Sequence, residues 1–291
     1  MEEIKLEKGD FRKNIAVAGL GLIGGSCTKA LRRTKTGKIF GIDIDSGVLD
    51  KAAGCGAIDD GAVDAQAILQ KSDIVIIALY PRETIEFIKD NAGHFKPGTI
   101  ITDTCGIKEP IIEAAIKYLP KNVEFVGGHP MAGNEFQGFD AASPELFFDT
   151  NYIITPHDRN SGEGIRVIER LAALIGCRRV TRVEARAHDR IMSLVSQLPH
   201  IVAVSFANLA VGEKDMSVFM GRSFMDVTRV SVLNRELWTQ ILEMNNSNII
   251  DRIEDMIDIL QKVKNALSEQ DKNSLQILFD NAVKGKRMCL Y

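Results

Sequence analysis

The chain lacks the features that mark several large classes of protein. Its five cysteines (Cys27, Cys55, Cys105, Cys177 and Cys289) are scattered, and no two form a C-x-x-C pair. That spacing indicates neither a disulfide framework nor a zinc site. There is no excess of basic charge. The 36 Lys and Arg against 39 Asp and Glu leave a net charge of −3, so neither nucleic acid nor an anionic membrane surface is an expected partner. The first ten residues (MEEIKLEKGD) are acidic and polar and lack the apolar core of a signal peptide. No apolar run approaches the length needed to cross a bilayer, and no internal repeat or low-complexity segment is evident. Together these absences predict a soluble, cytoplasmic protein.

What is present is ordinary globular composition, 45% hydrophobic and 26% charged over 291 residues, enough for a large core and two domains. The most informative stretch lies near the start. Asn14 to Ala18 reads as a short buried strand. Gly19, Gly21 and Gly24 then form G-x-G-x-x-G, and a helical run follows from Gly25 to Arg33. A second strand, Lys38 to Ile42, ends at Asp43. Each part has a physical task in holding a dinucleotide. Gly19 permits the tight turn, Gly21 lets the backbone approach a pyrophosphate, and Gly24 lets helix and strand pack closely. The helix N-terminus offers unpaired N–H groups and the positive end of its dipole. Asp43 can accept from both hydroxyls of an adenosine ribose and would repel a 2′-phosphate, which favours NAD over NADP. The turn residues Gly19, Leu20, Gly21, Leu22, Ile23 and Gly24, with Asp43, are therefore the expected cofactor contacts. Taken alone, a glycine turn of this kind also fits an ordinary βαβ connection that binds nothing.

Strand-like and helix-like segments alternate through residue 182. Strands are expected at Ile74 to Leu79, Thr99 to Thr102, Glu124 to Val126, Tyr152 to Thr155 and Arg178 to Thr181. Helices are expected around Gly47 to Ala53, Glu83 to Ala92, Glu109 to Tyr118 and Glu163 to Ile175. Alternation with fully apolar strands implies a mostly parallel, doubly wound α/β sheet covered on both faces. The pattern changes after Arg182. From Glu184 onward the chain reads as helix upon helix, including a long apolar run from Val183 to Val211 that contains Pro199. Asn248 to Leu267 carries Ile249, Ile250, Ile253, Met256, Ile257, Leu260 and Val263 at helical spacing, a stripe wide for a surface helix. The expected division is 1–182 for a dinucleotide-binding domain and 183–291 for an all-helical domain. A homodimer joined through the helices is expected, with a self-contained monomeric bundle as the alternative.

Three groups of residues could carry chemistry. The segment Gly127 to Asp140 (GGHPMAGNEFQGFD) follows a strand and is expected to place His129 on an exposed loop. An imidazole there can accept a proton from a hydroxyl near neutral pH, or it can simply bond to backbone. On the long helix, Ser196, Gln197 and His200 share a face, and Pro199 should kink the helix beside them. His188 and Asp189, near the helix start, read as structural. In FMDVTRV, Arg229 is suited to bidentate carboxylate binding, though it also reads as a surface arginine. Finally, ITDTCGIK (Ile101 to Lys108) ends a strand at the sheet edge expected to face the cofactor and could line its nicotinamide end. Cys105 has no adjacent base to make it a nucleophile and reads as a small apolar filler at that cofactor edge.

The order of GLGLIGGS (Gly19 to Ser26), GGHPMAG (Gly127 to Gly133), HDRIMSLVSQLPH (His188 to His200) and DVTR (Asp226 to Arg229) resembles that of the prephenate and arogenate dehydrogenases over nearly the whole chain. The resemblance implies a Rossmann-type domain followed by a helical dimerisation domain. It also implies NAD-dependent oxidative decarboxylation of a cyclohexadienol in tyrosine biosynthesis, with prephenate favoured over arogenate and no metal required. It makes His129 the catalytic histidine that bonds the ring hydroxyl and Arg229 the arginine that binds the ring carboxylate. His200 becomes a pocket-lining histidine, with Ser196 and Gln197 beside it. Two departures stand out. Cys105-Gly106 replaces a Gly-Ser pair of many relatives, so a hydroxyl is missing near His129. Gln197 stands where relatives often have histidine.

Overall fold

A computed structural model describes residues 11–134 and 136–288. The reading of the first ten residues as lacking a signal peptide, and Cys289, lie outside the described residues. The strand β1 (Ile15–Ala18) is buried at every position, between β2 (Ile39–Ile42) and β4 (Ile74–Ile77). Side chains alternate across a strand, and β1 shows the consequence. Ile15 and Val17 join the core on one face of the sheet, with α1 (Leu22–Arg32) and α6 (Gly162–Leu174). Ala16 and Ala18 join the other, with α4 (Pro81–Asp90) and α5 (Glu109–Tyr118). Burying an isoleucine this fully is worth about 1.5–3 kcal/mol, and the two-faced burial explains the unbroken apolar strands.

The sheet is completed by β3 (Asp60–Ala62), β5 (Ile100–Asp103) and β6 (Glu124–Phe125). The order is β3-β2-β1-β4-β5-β6, and every pairing is parallel. This is the doubly wound Rossmann arrangement, and its topological switch point lies between β1 and β4. The short helices α2 (Ser46–Gly54) and α3 (Gln66–Leu69) fill its connections.

Two expectations are corrected here. The segment at Gly127 is a strand, β7 (Gly127–Pro130), so His129 is half-buried in a sheet and is not on an exposed loop. With β8 (Asn151–Thr155) and β9 (Arg179–Arg182) it forms a separate three-stranded sheet, in which β7 and β8 are antiparallel. The later strands therefore do not extend the parallel sheet. Glycine hid β7 from the sequence, because Gly-Gly and Pro carry little strand signal. Close packing is what demands those glycines. A Cβ on Gly128 would lie 2.2 Å from the Tyr152 hydroxyl, and one on Gly127 would lie 2.2 Å from Thr155 Oγ1.

Beyond β9 the chain is helical: α7 (Ala185–Met192), α8 (Leu198–Leu209), α9 (Met216–Phe219), α10 (Arg222–Thr228), α11 (Arg235–Met244), α12 (Asn246–Ser268) and α13 (Lys272–Met288). The kink expected at Pro199 takes the form of a π-helical turn, Ser193–Gln197, that joins α7 to α8. Pro199 has no N–H to donate to an i−4 carbonyl, and a wider turn accommodates that loss. The joined rod, Ala185–Leu209, has 25 residues and a mean hydropathy of 1.3 in its most apolar part. By length and composition it could cross a bilayer, contrary to the expectation that no such run exists. In the fold it carries the buried polar residues His188, Asp189 and Gln197 at the junction of the two halves.

Candidate active site

The glycine turn has the geometry its sequence demands. Gly19 sits at φ +85°, in the left-handed region that favours glycine. A Cβ on Gly24 would lie 1.9 Å from the Gly19 carbonyl oxygen, so the helix can start only without one. A Cβ on Gly21 would meet nothing within 4 Å, so open space faces the helix N-terminus there. No side chain caps α1 at Gly21, which leaves its first N–H groups to a phosphate. Asp43, just past β2, accepts from the Leu20 N–H at 2.7 Å and the Asp45 N–H at 3.0 Å. Each carboxylate oxygen retains a lone pair for a ribose hydroxyl. These residues fit NAD.

Opposite the cradle, β5 and the start of α5 organise a buried polar cluster. Lys108 and Asp103 are completely buried and paired with each other. Asp103 also accepts from the backbone N–H groups of Cys105 and Gly128, at 3.0 Å each. Lys108 donates to the Gly128 carbonyl at 2.6 Å. The pair thus fixes β7, and with it His129, against β5. A buried pair of this kind is tolerable only because its remaining polar sites are met.

His129 Nδ1 lies 2.9 Å from His188 Nε2, and His188 Nδ1 lies 2.7 Å from Asp189 Oδ1. Asp189 also accepts from the backbone N–H groups of Lys108 (2.8 Å) and Glu109 (2.9 Å). A carboxylate on α7 therefore caps α5 from outside, where the helix dipole favours negative charge. Burial, then the neighbouring His188 and Lys108, push the pKa of His129 well below its ordinary value, so the ring is held neutral. Its other edge faces Gly106. A Cβ there would stand 3.8 Å from His129 Nε2 and 3.8 Å from Ile241 Cδ1.

A second cluster lies one turn of α11 away. His200 stacks on Trp238, with ring centroids 3.9 Å apart, and its Nδ1 is bonded to the Ser196 carbonyl at 2.8 Å. Partial burial, opposed by the Ser196 bond and reinforced by Arg229, lowers the pKa of His200. Arg229 is exposed, just after α10. Trp238 and Ile241 are three residues apart on α11, a rise of about 4.5 Å. That helix thus spans from the His200 and Arg229 side to the His129 side. It is docked on the start of α4. Gln240 accepts from the Arg82 N–H (2.9 Å) and donates to Glu83 (3.1 Å), Arg82 pairs with Glu243, and Asn234 donates to the Tyr80 hydroxyl (2.7 Å).

Two site expectations change. Gln197 is turned into the helical packing, where its Oε1 accepts from Asn245 at 2.8 Å. It is 1% exposed, and its Nε2 has no hydrogen-bond partner among the described residues. The Cys105 thiol faces inward onto Thr84 Oγ1 at 3.4 Å, and burial pushes its pKa up to about 12. It is an inert filler, and any cofactor contact there falls to its backbone. Sequence reasoning read His188 and Asp189 as structural and missed Lys108 and Trp238. The His-Asp dipeptide was a visible signal, but its partner His129 is 59 positions away.

Comparison with known proteins decides the family. The family described as "prephenate dehydrogenase, nucleotide-binding domain" matches residues 27–181, and "prephenate dehydrogenase, dimerization domain" matches residues 184–281. The chain belongs to the prephenate dehydrogenase family. It is an oxidoreductase of that family. A prephenate dehydrogenase of Bacillus subtilis is 31% identical over 94% of this chain and 75% of the relative. A cyclohexadienyl dehydrogenase of Zymomonas mobilis is 30% identical over 94% of this chain and 95% of the relative. The crystal structure of prephenate dehydrogenase from A. aeolicus, in complex with hydroxyphenyl propionate and NAD+, superposes with a TM-score of 0.87. It is 27% identical and covers 96% of this chain and 98% of its own. The match thus spans nearly all of this chain in each case, while the Bacillus subtilis relative is longer.

Proposed function

We propose that this protein converts prephenate to 4-hydroxyphenylpyruvate and CO₂ with NAD, as a step of tyrosine biosynthesis. The observation that carries this is His129: a neutral imidazole at the β5 edge, with Nε2 facing the opening left by Gly106. Bound NAD supplies a hydride acceptor. His129 takes the proton of the ring hydroxyl, which raises electron density at the carbinol carbon and lowers the barrier to hydride loss. Base assistance of this kind is worth about 10²–10⁴ in rate. The dienone then expels CO₂ from the opposite ring carbon and becomes aromatic. Arg229 receives the ring carboxylate, and His200 with Ser196 lines the same side. Arg229 must orient that carboxylate without holding it more tightly than the transition state, or decarboxylation slows.

A cytoplasmic homodimer is part of the proposal, with the chain divided at 1–182 and 183–291. Free thiols at Cys27, Cys55, Cys105 and Cys177 support a reducing compartment. Exposed Ile257, Leu260, Ile277 and Phe279 on α12 and α13 support pairing through the helices. The change from strand to helix between Arg182 and Ala185 supports the division. Arogenate is the second substrate, favoured by the likeness to a cyclohexadienyl dehydrogenase. Spectrophotometric assay of each substrate with NAD and NADP tests this. The expected result is NAD reduction with a higher kcat/KM for prephenate. A protein that binds NAD yet turns over neither substrate would be a sensor and would defeat the proposal.

A further inference from the structure

We propose that His188 and Asp189 are positioning residues that commit His129 to the one tautomer able to act as a base. The inference rests on the dehydrogenase reading above for its catalytic consequence, but its structural content stands on the hydrogen-bond geometry around His129.

The accounting begins at Asp189. Its Oδ1 accepts the Lys108 N–H at 2.8 Å and its Oδ2 accepts the Glu109 N–H at 2.9 Å. Backbone amides only donate, so both carboxyl oxygens already serve as acceptors, and Asp189 is taken as the carboxylate, which has no proton to give. The third partner, His188 Nδ1 at 2.7 Å, must therefore be the donor. In this proposal His188 is the neutral imidazole, which carries one N–H; as an imidazolium it would donate to His129 instead and leave the His129 proton on Nε2. With Nδ1 protonated, His188 Nε2 is an acceptor. Its partner at 2.9 Å is His129 Nδ1, which must then carry the proton. His129 is held neutral by its surroundings, so its Nε2 is bare, and that is the atom facing Gly106. In the opposite tautomer, with Nε2 protonated, His129 could donate to the substrate hydroxyl but could not take its proton.

The rings are fixed as well as the protons. His188 and Asp189 are each about 1% exposed. The two imidazoles meet edge to face, with centroids 5.1 Å apart and planes at 71°. Asn245 donates to the Asp189 carbonyl at 2.9 Å and ties the helix behind them to the start of α12. His129 therefore has no ordinary rotamer freedom to spend when substrate arrives. During the reaction the substrate O–H breaks, an N–H forms on His129 Nε2, and the oxygen's electron pair closes the ring carbonyl as hydride leaves for the oxidised nicotinamide. The resulting imidazolium donates its Nδ1–H to His188, and the Asp189 charge stabilises it through that ring. In a chain without a hydroxyl at position 106, orientation of His129 comes from α7.

The test has two independent readouts. The chain has five histidines, few enough to resolve in long-range ¹H–¹⁵N spectra of ¹⁵N-histidine-labelled protein, with His129 assigned by its absence in His129→Asn. The wild-type spectrum should show His129 protonated at Nδ1 and bare at Nε2. A proton on Nε2 overturns the proposal whatever the enzyme does. For kinetics, His188→Phe keeps the ring volume but removes the acceptor. It should lower kcat by about 10², leave NAD affinity unchanged and keep the prephenate KM within about threefold. His188→Gln, whose amide oxygen can accept from His129 Nδ1, should recover about tenfold of that loss. A merely structural role would leave Gln no better than Phe, and that result also overturns the proposal. If His188→Phe does not fold, the wild-type spectrum and His188→Gln still decide. If the wild-type enzyme oxidises no cyclohexadienol, the dehydrogenase reading fails while the spectrum continues to decide the tautomer.

Discussion

The two halves of this molecule solve different problems. The first half carries its own core: all four residues of β1 are buried, and apolar clusters close both faces of the sheet. The second half does not. Of the 23 residues of α12 only Ile249 and Ala266 are buried, and α13 buries none among its described residues. Apolar side chains at 257, 260, 277 and 279 stand exposed. The cofactor cradle is thus a finished object in one chain, whereas the substrate side is built from helices that still have apolar surface to bury. His129, the proposed base, sits at the seam, on a strand of the first half and bonded to a helix of the second.

Removing that histidine gives the largest effect and the sharpest separation of the halves. His129→Asn should lower kcat by about 10² or more while NAD binding, measured by fluorescence or calorimetry, stays unchanged. Near-normal turnover would take His129 out of the base role. The same residue sets a pH dependence. A base must be neutral, and the pKa of His129 is lowered by burial, His188 and Lys108. The acid limb of kcat/KM should therefore fall below the ordinary histidine value of about 6.5. A limb well above that value would contradict a depressed pKa.

The next effect concerns what holds the seam. Lys108→Met leaves Asp103 charged and buried beside two backbone donors. Breaking a buried pair in this way costs about 3–5 kcal/mol. Denaturant unfolding should show the free energy of unfolding lowered by that amount, with turnover reduced because Gly128 and His129 lose their anchor. A variant as stable as the parent would show that the buried pair does not anchor β7.

Contrasting variants in the two halves then test whether cofactor and substrate are read separately. Arg229→Ala should raise the KM for prephenate about 30-fold, the equivalent of ~2 kcal/mol of lost carboxylate contact, with little change in NAD affinity. Asp43→Ala should do the reverse. It should weaken NAD about tenfold, relax discrimination against NADP and leave the prephenate KM nearly unchanged. An unchanged KM in the first variant would make Arg229 a surface residue. Unchanged cofactor preference in the second would move ribose recognition elsewhere.

The same contrast explains how much the sequence disclosed. The cradle was legible because its information is local: Gly19, Gly21, Gly24 and Asp43 lie within 25 residues and each obeys a backbone rule. The parallel strands were legible because burial on both faces leaves a continuous apolar run. The strand carrying His129 was not, since its glycines answer to Thr155 and Tyr152, residues far along the chain. Nor was the role of His188, which depends on a neighbour supplied by another sheet. Spacing places Gln197 on a helix face with His200, but its partner Asn245 lies 48 positions away and is not visible in that spacing.

The smallest effect probes the missing hydroxyl. Gly106 adopts no left-handed φ, and a Cβ there meets its nearest neighbours at 3.8 Å, ordinary contact distance. Gly106→Ser should therefore fold as the parent does, with Tm within a few degrees. Its hydroxyl would lie beside His129 Nε2, where it can help orient the substrate oxygen or compete with it for the ring. If α7 already fixes His129, through its bond to His188 and the bond of His188 to Asp189, the added hydroxyl is redundant for orientation, and kcat should change by less than about threefold. A gain of tenfold or more would show that the imidazole is under-constrained in this chain and that the helical half does less at the seam than its hydrogen bonds indicate.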